Sequence, residues 1–524
     1  MSKIYIKYSL HNKKFFLEKK KNYKNIILTE FNKWQGLSII NSYLSYTLSK
    51  IYKAKIVCFP GYDHNFSKNF FSILFNKIFW VFNKIYPLKS FLIYKSFGCS
   101  DIIMPNLTFE QKLRSKKLFF SNYKKLKFRK DVINLKLNKI YIGDLVYNSF
   151  LKEYKNIYFD VADKEFRYFF FKIICLFIFW EDYLKNNPVK SIVIYHSVYI
   201  YSVLSRIALK YNIRVYSGSH YKVFKFSKKN LCPWIDFKNY KKTFHALSKS
   251  EKNRGLNVAK KEINLRFKGD MRYFDSYKES PFLKKRNDKY IKENKNIKIL
   301  VASHCFFDSP VVYGKMLFNE FSDWLNFLGE LSEKTNYDWY IKTHYTFNIK
   351  SREEIIRFVN KYKKFNLLPE KISHHSIIKS KIDLALTCYG SIAWEYPYFK
   401  IPVINASVNN PHVNYRFCVT PKSILEYRNL LLNLDRRYLN SIKIRSPKEI
   451  YEYYFMNFIY FKKFWLVEKL KKEDAESLFH KFSTMKAFTN DIYEDWITKF
   501  SIKNHYNIIK NLEFFIKSNK NLMI

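Results

Sequence analysis

Several features that mark familiar classes of protein are missing from this sequence. Only 10 of the 524 residues are glycine, and no GxxxxGK[ST] loop occurs, which argues against a P-loop nucleotidase. No two aspartates are separated by a single residue, so a metal site built on an Asp-x-Asp pair is not indicated. The paired His374 and His375 have no carboxylate or cysteine at ligand spacing and are better explained as a helix start. We therefore predict no metal and no cofactor.

Cysteine pairs and long apolar runs are missing too. The seven cysteines are an odd number at wide spacing without a CxxC pair, so a reducing cytoplasm fits better than a disulfide framework or a zinc site. The longest apolar run, Tyr168 to Trp180, contains Lys172, and it is too short to cross a bilayer. It predicts a buried helix. The N-terminus lacks an uninterrupted apolar stretch and a small-residue cleavage site, so we predict no signal peptide.

Acidic residues are few relative to basic ones. The sequence has 44 Asp and Glu against 94 Lys and Arg, a formal net charge of +50. Lys, Asn, Ile, Phe and Tyr are all abundant and the basic runs, such as Lys19 to Lys24, are dispersed, as coding in an AT-rich genome would give. A solvated, lysine-rich surface explains this better than a nucleic-acid interface, and we expect no nucleic-acid partner. The positive electrostatic field of such a chain still favours anionic partners such as phospholipid surfaces, sugar nucleotides or acidic glycans.

One basic, aromatic stretch lies between Phe66 and Tyr94. Asn69, Asn76 and Asn83 recur every seven residues among Phe, Ile, Leu and Trp, and lysines stand beside two of them. The pattern has two interpretations. The stretch is either an amphipathic helix that lies on an anionic membrane surface, or a core helix with one solvated polar stripe.

The length and the order of elements predict a two-domain α/β protein. An apolar strand at Ile192 to Tyr195, an amphipathic helix and a strand at Ile213 to Tyr216 form a βαβ crossover, which predicts a parallel sheet. A second alternating series begins at Ile297. It includes a helix whose start is predicted at a capping box formed by Ser351 and Glu354. We predict an N-terminal domain at 1–285, with its basic, aromatic stretch near 66–94, a second domain at 286–434 and a helical extension at 435–524. The polar stretch from Lys222 to Lys295 is interpreted as the interdomain connection.

The segment from Lys381 to Ser407 is the most informative in the chain. A buried strand ends at Thr387, the chain turns at Gly390 and Ser391, and a helix begins there. Backbone N–H groups and the positive end of that helix then lie beyond the carboxyl edge of the strand, as in a phosphate site. Glu395 follows one turn later. An ordinary turn in a Rossmann-like fold remains the alternative explanation.

This segment resembles the donor-binding domain of GT-B glycosyltransferases, especially bacterial enzymes that make capsule and other surface polysaccharides. Those enzymes have a similar Gly-Ser/Thr-x-x-x-Glu turn and a Lys/Gly-x-Pro-Val-Ile strand, which are matched here by Gly390, Ser391, Glu395 and the run Lys400 to Ile404. The resemblance implies two Rossmann-like, doubly wound domains that face each other across a cleft. It also implies that Glu395 binds the ribose of a nucleotide-sugar donor and that Gly390 and Ser391 approach its phosphates.

Further candidate donor-binding residues follow other strands. In IKTHY, Lys342 and His344 lie on one side of a strand end, similar to a Lys-x-His-Pro of related enzymes, although Tyr345 replaces the proline. His304 lies in the loop after the strand that begins the series, and His412 and Arg416 follow the last strand. Cations and imidazoles at such edges suit a diphosphate. Solvated strand ends and structural histidines are the alternatives.

An inverting transfer also needs a base for the acceptor hydroxyl. In the resembling enzymes the base usually comes from the first domain. The candidates are loop residues after predicted strands: Asp63, His64, His196 and His220. Each of them is equally consistent with an ordinary surface residue.

The sequence therefore favours a metal-independent glycosyltransferase. It would move a sugar from a nucleotide sugar to a surface polysaccharide or lipid-linked glycan, in the cytoplasm at the inner face of the plasma membrane. A sugar-nucleotide epimerase or a polyol-phosphate transferase of similar fold is an alternative. A non-catalytic basic protein that binds polyanions or membranes is an alternative of another class.

Overall fold

A computed structural model gives the fold of two compact units. It describes residues 3–16, 22–60, 70–270, 280–283, 290–313, 316–344, 349–462, 465–467, 470–483 and 492–523. The first unit comprises Met1–Val146, Asp160–Pro233 and Phe461–Ile524, and the second comprises Tyr147–Phe159 and Trp234–Tyr460. Among the described residues, no helix is long and apolar enough to cross a membrane.

The strands and helices follow one another along the chain in the alternating order of an α/β protein. The strands are β1 (Asn25–Phe31), β2 (Ala54–Pro60), β3 (Cys99–Ile102), β4 (Lys136–Leu137), β5 (Ile140–Tyr141), β6 (Val189–Ile194), β7 (Arg214–Gly218), β8 (Val223–Lys225), β9 (Lys298–Ala302), β10 (Asp338–Lys342), β11 (Phe365–Leu367), β12 (Leu384–Thr387), β13 (Val403–Asn405) and β14 (Leu522–Met523). The helices are α1 (Lys3–Phe16), α2 (Gln35–Tyr52), α3 (Phe70–Ile85), α4 (Ser90–Ser96), α5 (Phe109–Tyr123), α6 (Arg129–Ile133), α7 (Gly143–Tyr154), α8 (Lys164–Asn186), α9 (Val203–Lys210), α10 (Tyr240–Ala246), α11 (Lys249–Phe267), α12 (Phe321–Ser332), α13 (Ile349–Lys361), α14 (His374–Lys379), α15 (Ile392–Tyr398), α16 (Ile424–Leu432), α17 (Arg436–Ser441), α18 (Lys448–Tyr454), α19 (Lys472–Ser483), α20 (Ile492–Lys499) and α21 (Ile502–Lys517).

The first unit is built on a sheet of order β14-β8-β7-β6-β1-β2-β3. Its central strands are parallel, while β8 and β14 run antiparallel at one edge. The predicted βαβ crossover is confirmed, because β6 and β7 pair in parallel with α9 between them. The predicted buried helix is α8, whose apolar residues from Phe166 to Leu184 are largely buried.

The second unit contains a fully parallel sheet of order β11-β10-β9-β12-β13. Its strands β9, β10 and β12 are short and almost wholly buried, as expected for strands covered by helices on both faces. Trp324 of α12 and Trp339 of β10 are fully buried in this core. A mainly parallel sheet in the first unit and a fully parallel sheet in the second, each flanked by helices, confirm the predicted α/β fold class with two Rossmann-like units.

The stretch expected to connect the domains is folded where it is described. Residues 234–285, which the sequence analysis assigned to the first domain, belong to the second unit. They include α11, which opens with a capping box between Ser248 and Glu251. Its buried residues form one narrow stripe that ends in Arg266 and Phe267. Such a stripe is too weak to register as apolar periodicity, and therefore the sequence showed only a polar region.

The predicted capping box at Ser351 is wrong. Helix α13 begins at Ile349, so Ser351 and Glu354 lie inside it and both are buried. Glu354 instead accepts a hydrogen bond from the Tyr158 hydroxyl and pairs with Arg357. A tertiary partner therefore replaces the backbone N–H that the local pattern suggested.

The chain after residue 434 is helical and divides between the two units. Residues up to Tyr460 belong to the second unit, and Phe461–Ile524 belong to the first. Within the first unit, the Tyr493 hydroxyl bonds to Ser38 at 2.6 Å and His505 Nδ1 bonds to the Tyr43 hydroxyl. The helices α20 and α21 thus complete the core of the first unit beside α2.

Candidate anion-binding site

The carboxyl edge of the second unit's sheet brings several predicted site residues to neighbouring positions. His304 follows β9, Lys342 ends β10 with His344 just beyond it, and Gly390 lies in the turn after β12. The strands β10, β9 and β12 are adjacent and parallel. Their carboxyl ends therefore meet at one edge, which is where ligands bind in open α/β sheets.

His304 is fixed at the centre of this edge. Its Nε2 lies 3.0 Å from Thr387 Oγ1 and accepts a hydrogen bond from the Cys388 N–H at 3.2 Å. The ring stacks on Phe321, with 4.7 Å between centroids. Burial, reinforced by the charge of His344, lowers the pKa of His304 to about 3. The ring is therefore neutral near pH 7, and since Nε2 accepts, its proton resides on Nδ1.

His344 and Lys342 provide the remaining polar groups on this side. The His344 ring is nearly parallel to that of His304, with centroids 6.5 Å apart. Burial lowers the pKa of His344 to about 4, and the charge of Lys342 acts in the same direction while Asp308 opposes it. Burial also lowers the pKa of Lys342 to about 8. Its ammonium group donates to the Glu370 carbonyl at 3.1 Å and remains a cation near pH 7.

The turn after β12 holds backbone donors beside these side chains. The Gly390 N–H donates to Thr387 Oγ1 at 3.0 Å, so the same hydroxyl links the turn to His304. Within the described residues, the N–H groups of Ser391 and Ile392 have no acceptor. They begin α15, where unsatisfied donors favour negative charge. A Cβ on Gly390 would lie 2.9 Å from Thr387 Oγ1, which explains the need for glycine.

Glu395, to which the resemblance assigns the donor's ribose, is buried in the second unit. Its side chain is 2% exposed and forms an ion pair with Arg266 of α11, Nη2 to Oε1, at 3.0 Å. Its other oxygen accepts a hydrogen bond from Ser391 Oγ at 3.1 Å. The carboxylate is thus held inside the second unit, where, among the described residues, the Ser391 hydroxyl links it to the turn.

His412 and Arg416 are not joined to this cluster by any contact among the described residues. His412 is buried against Phe417 and Tyr453, and burial lowers its pKa to about 3. Arg416 is exposed, and its backbone N–H donates to Glu449. The sequence placed both after the last strand, but the chain there turns His412 into the core and Arg416 toward solvent.

The candidate bases of the first unit are only partly described. Asp63 and His64 lie outside the described residues. His196 follows β6, and its Nδ1 accepts the Val198 N–H at 3.0 Å. With Nδ1 accepting, the neutral ring carries its proton on Nε2, so in this position it donates rather than accepts. His220 follows β7 and lies against the Tyr221 ring, with centroids 3.7 Å apart.

Sequence reasoning missed three residues that shape these edges. Thr387 joins His304 to the Gly390 turn, and Arg266 neutralises Glu395 from 129 residues away. Glu30, in β1, is 3% exposed and accepts the Tyr195 N–H at 2.7 Å. A carboxylate inside the apolar run NIILTEF was the available signal for Glu30. Nothing local marked Arg266, because its partner is distant in sequence.

The described residues hold no cluster of possible metal ligands. No group of three or more His, Cys, Asp and Glu side chains there is arranged to hold a metal ion. His374 and His375 begin α14, as expected, and bond to the Tyr396 hydroxyl and the Phe267 carbonyl. Both rings are thus accounted for by contacts within the second unit.

Comparison with known proteins gives similar structures at low identity. The chain matches no protein-family model. It matches no curated protein sequence either. A UDP-GlcNAc 2-epimerase from Neisseria meningitidis bound to UDP-GlcNAc aligns at 11% identity over 82% of this chain and 97% of that one, with a TM-score of 0.26. A glycosyltransferase from Rickettsia africae aligns at 11% identity over 95% and 100% of the two chains, with a TM-score of 0.25. MurG from Acinetobacter baumannii aligns at 10% identity over 83% and 95%, with a TM-score of 0.24.

Proposed function

We propose that this protein is a glycosyltransferase that moves a sugar from a nucleotide-sugar donor to a surface polysaccharide or lipid-linked glycan, without a metal ion. The observation that supports the proposal is the half-buried cluster of Lys342, His304 and His344 beside the open N–H groups of Ser391 and Ile392. These groups offer positive charge and hydrogen-bond donors to an anion at the carboxyl edge of a parallel sheet.

In this proposal the second unit binds the diphosphate of the donor. Lys342 supplies the cation, and Nδ1–H of neutral His304 and the imidazole of His344 supply donors that need no proton uptake. As the bond between sugar and phosphate breaks, negative charge grows on the leaving phosphate, and fixed donors stabilise it without reorganising. A cation at this position takes the role that a metal ion has in other diphosphate sites.

The acceptor would be activated from the first unit. The candidate bases remain Asp63, His64, His196 and His220. The Nδ1 atom of His196 accepts a hydrogen bond from the Val198 N–H. That bond would have to break before Nδ1 could take a proton from the hydroxyl of the sugar acceptor. We place the reaction in the cytoplasm at the inner face of the plasma membrane, where lipid-linked acceptors are available.

The proposal is tested by thermal-shift measurements with UDP-, GDP-, CMP- and dTDP-sugars. A donor that binds only the folded chain raises its melting temperature in a concentration-dependent way. We expect one of these nucleotides to do so and the Lys342→Met variant to lose most of the shift. Lys379→Met, which removes an exposed lysine of the same unit, is the matched control and should respond like the wild type. If none of the nucleotides stabilises the chain, the proposal fails.

Product analysis separates the alternatives once a donor is known. Formation of an epimeric sugar nucleotide without acceptor, detected by NMR, would identify an epimerase instead, and release of a polyol phosphate would identify the other transferase. A non-catalytic polyanion-binding protein would bind heparin or nucleic acid in a salt-sensitive manner, and Lys342→Met would leave that binding unchanged.

A further inference from the structure

The helix α3 of the first unit presents an apolar face to solvent. Phe75, Ile78 and Ile85 are 74%, 60% and 67% exposed. Further large exposed side chains of α3 and the residues after it are Leu74, Phe79, Val81, Phe82, Tyr86 and Leu88. At about 100° per residue, the exposed residues within the helix cover less than half of its circumference. They therefore form one continuous strip rather than scattered exposed residues.

The opposite side of α3 faces the protein and contains the polar residue that sequence periodicity placed in solvent. Asn83 is fully buried, donates to the Phe79 carbonyl at 2.8 Å and accepts the Leu88 N–H at 3.0 Å. Trp80 is 2% exposed and packs against Phe31 and Phe91. The solvated-stripe interpretation is therefore wrong for Asn83, and the amphipathic helix is turned with its apolar side outward.

An exposed strip of this kind differs from ordinary surface hydrophobicity. Single exposed apolar residues are normal in soluble proteins, and Phe109 and Phe514 of the first unit are examples, 76% and 73% exposed. Contiguous strips of large side chains usually mark a binding surface. The strip on α3 is thus expected to bind a partner. The charges near the strip indicate the chemistry of that partner.

The sequence around α3 is basic. No Asp or Glu occurs between Asp63 and Asp101, whereas five lysines do: Lys68, Lys77, Lys84, Lys89 and Lys95. From elsewhere in the sequence, the Lys33 ammonium lies 5.7 Å from the centre of the Phe79 ring, and the exposed Lys89 follows the helix. An apolar strip beside the cations of Lys33 and Lys89 complements an anionic lipid leaflet, which offers acyl chains below and phosphates above.

We propose that α3 lies in the headgroup region of an anionic membrane, parallel to its surface, with Phe75, Ile78, Phe82 and Ile85 inserted between the lipids. A second copy of this chain fits less well, because docking two strips would also bring their lysines together in a protein with a net charge of +50. The surface is distinct from the anion-binding edge of the second unit, and the proposal does not depend on the donor chemistry.

The test is flotation of the full chain with lipid vesicles. We expect binding to vesicles that contain phosphatidylglycerol and much weaker binding to pure phosphatidylcholine. Because two large apolar side chains would no longer be inserted among the lipids, the double variant Phe75→Asp/Phe82→Asp should lower the partition coefficient at least about tenfold. The matched control, Phe109→Asp/Phe514→Asp, replaces two equally exposed phenylalanines and should bind like the wild type.

Three results would overturn the proposal. The first is wild-type binding by the α3 variant, and the second is an equal loss of binding in the control. The third is a dimer, seen by sedimentation velocity without lipid, that the α3 variant abolishes, since the occupant would then be a second copy. The substituted side chains are exposed, so the variants should melt at the wild-type temperature. A nucleotide-induced thermal shift that persists in the α3 variant separates this proposal from that of the donor site.

Discussion

The carboxyl edges of the two sheets carry opposite chemistry on similar frameworks. In the second unit, His304, His344 and Lys342 lie near one another beside open backbone N–H groups, and burial keeps both imidazoles neutral. In the first unit, the buried group at the edge is the carboxylate of Glu30, which accepts the Tyr195 N–H. The described histidines there, His196 and His220, contact the neighbouring Tyr195 and Tyr221 rings.

The difference puts two kinds of side-chain chemistry at corresponding places of a shared topology. In both units the parallel strands end at one edge of the sheet. Side chains that follow these strands therefore lie near one another, whatever their chemical type. Donors and a cation at the second edge suit an anionic ligand, whereas an acid and imidazoles at the first suit hydroxyl groups and proton transfer. The following predictions test whether each edge has the separate role that this comparison assigns to it.

The largest effect should come from the buried ion pair behind the second edge. Arg266→Ala leaves the Glu395 carboxylate buried without its cation, since both side chains are at most 2% exposed. We expect a loss of about 3–5 kcal/mol in the free energy of unfolding, measured in urea. The pair Arg206–Asp144 of the first unit is less buried, at 5% and 22% exposure, so Arg206→Ala should cost less.

The control for this prediction is Lys241→Ala. Its pair with Glu449 is about a third exposed on both sides and should contribute at most about 1 kcal/mol. Equal losses in Arg266→Ala and Lys241→Ala would show that burial does not raise the cost of removing the cation from the Glu395 pair.

The next effect is the loss of stability in acid, which should be similar in both units. Burial lowers the pKa of His412 in the second unit and of His505 in the first to about 3, against about 6.5 when unfolded. Protons therefore bind the unfolded chain first, and stability is full above about pH 6.5 and falls as the pH approaches 3. At pH 5 each histidine should cost about 2 kcal/mol.

Urea unfolding from pH 7 to pH 5 measures this loss. His412→Phe removes one titrating group and should flatten the dependence for the second unit, with His505→Phe doing the same for the first. An unchanged slope in either variant would mean that the histidine is protonated in the folded protein.

A smaller effect concerns nucleotide affinity at high pH. Because the pKa of Lys342 is lowered to about 8 by burial, the free site loses its cation as the pH rises through that value. A bound diphosphate favours the ammonium form, so the dissociation constant should increase by up to about tenfold per pH unit above 8. Isothermal titration calorimetry with the nucleotide found by thermal shift measures it. Lys342→Arg keeps the charge and should flatten the curve; a parallel rise in that variant would exclude Lys342 as the titrating group.

The smallest expected effect distinguishes the glycines at the two edges. Gly390→Ala must displace the Thr387 hydroxyl, which lies 2.9 Å from the new Cβ, and should weaken nucleotide binding by about 1 kcal/mol through the turn and His304. Gly218→Ala, at the end of β7, instead meets Ile40 and Leu44 of the first core at 2.4 and 2.7 Å. It should lower stability without changing affinity. If Gly218→Ala weakened nucleotide binding and Gly390→Ala did not, the nucleotide would have to be assigned to the edge of the first unit instead.

Much of the framework could be predicted from the sequence, because strand and helix periodicity are local. The crossover from β6 to β7, the strands β9, β10 and β12 and the turn at Gly390 all lie where the pattern indicated. The capping box at Ser351 failed because Glu354 found a partner in Tyr158, which is 196 residues away. The polar helix α11 was missed because its buried stripe is narrow.

Sequence alone therefore determined that this chain forms parallel α/β sheets, and which residues lie at their carboxyl edges, since alternation of apolar residues and strand direction are properties of the local chain. Tertiary structure decided what those residues face. It joined Glu395 to Arg266 across 129 residues, placed His412 in the core and turned α3 with its apolar strip outward. Desolvation and packing between distant segments determine these contacts, and neither can be predicted from the local pattern of residues.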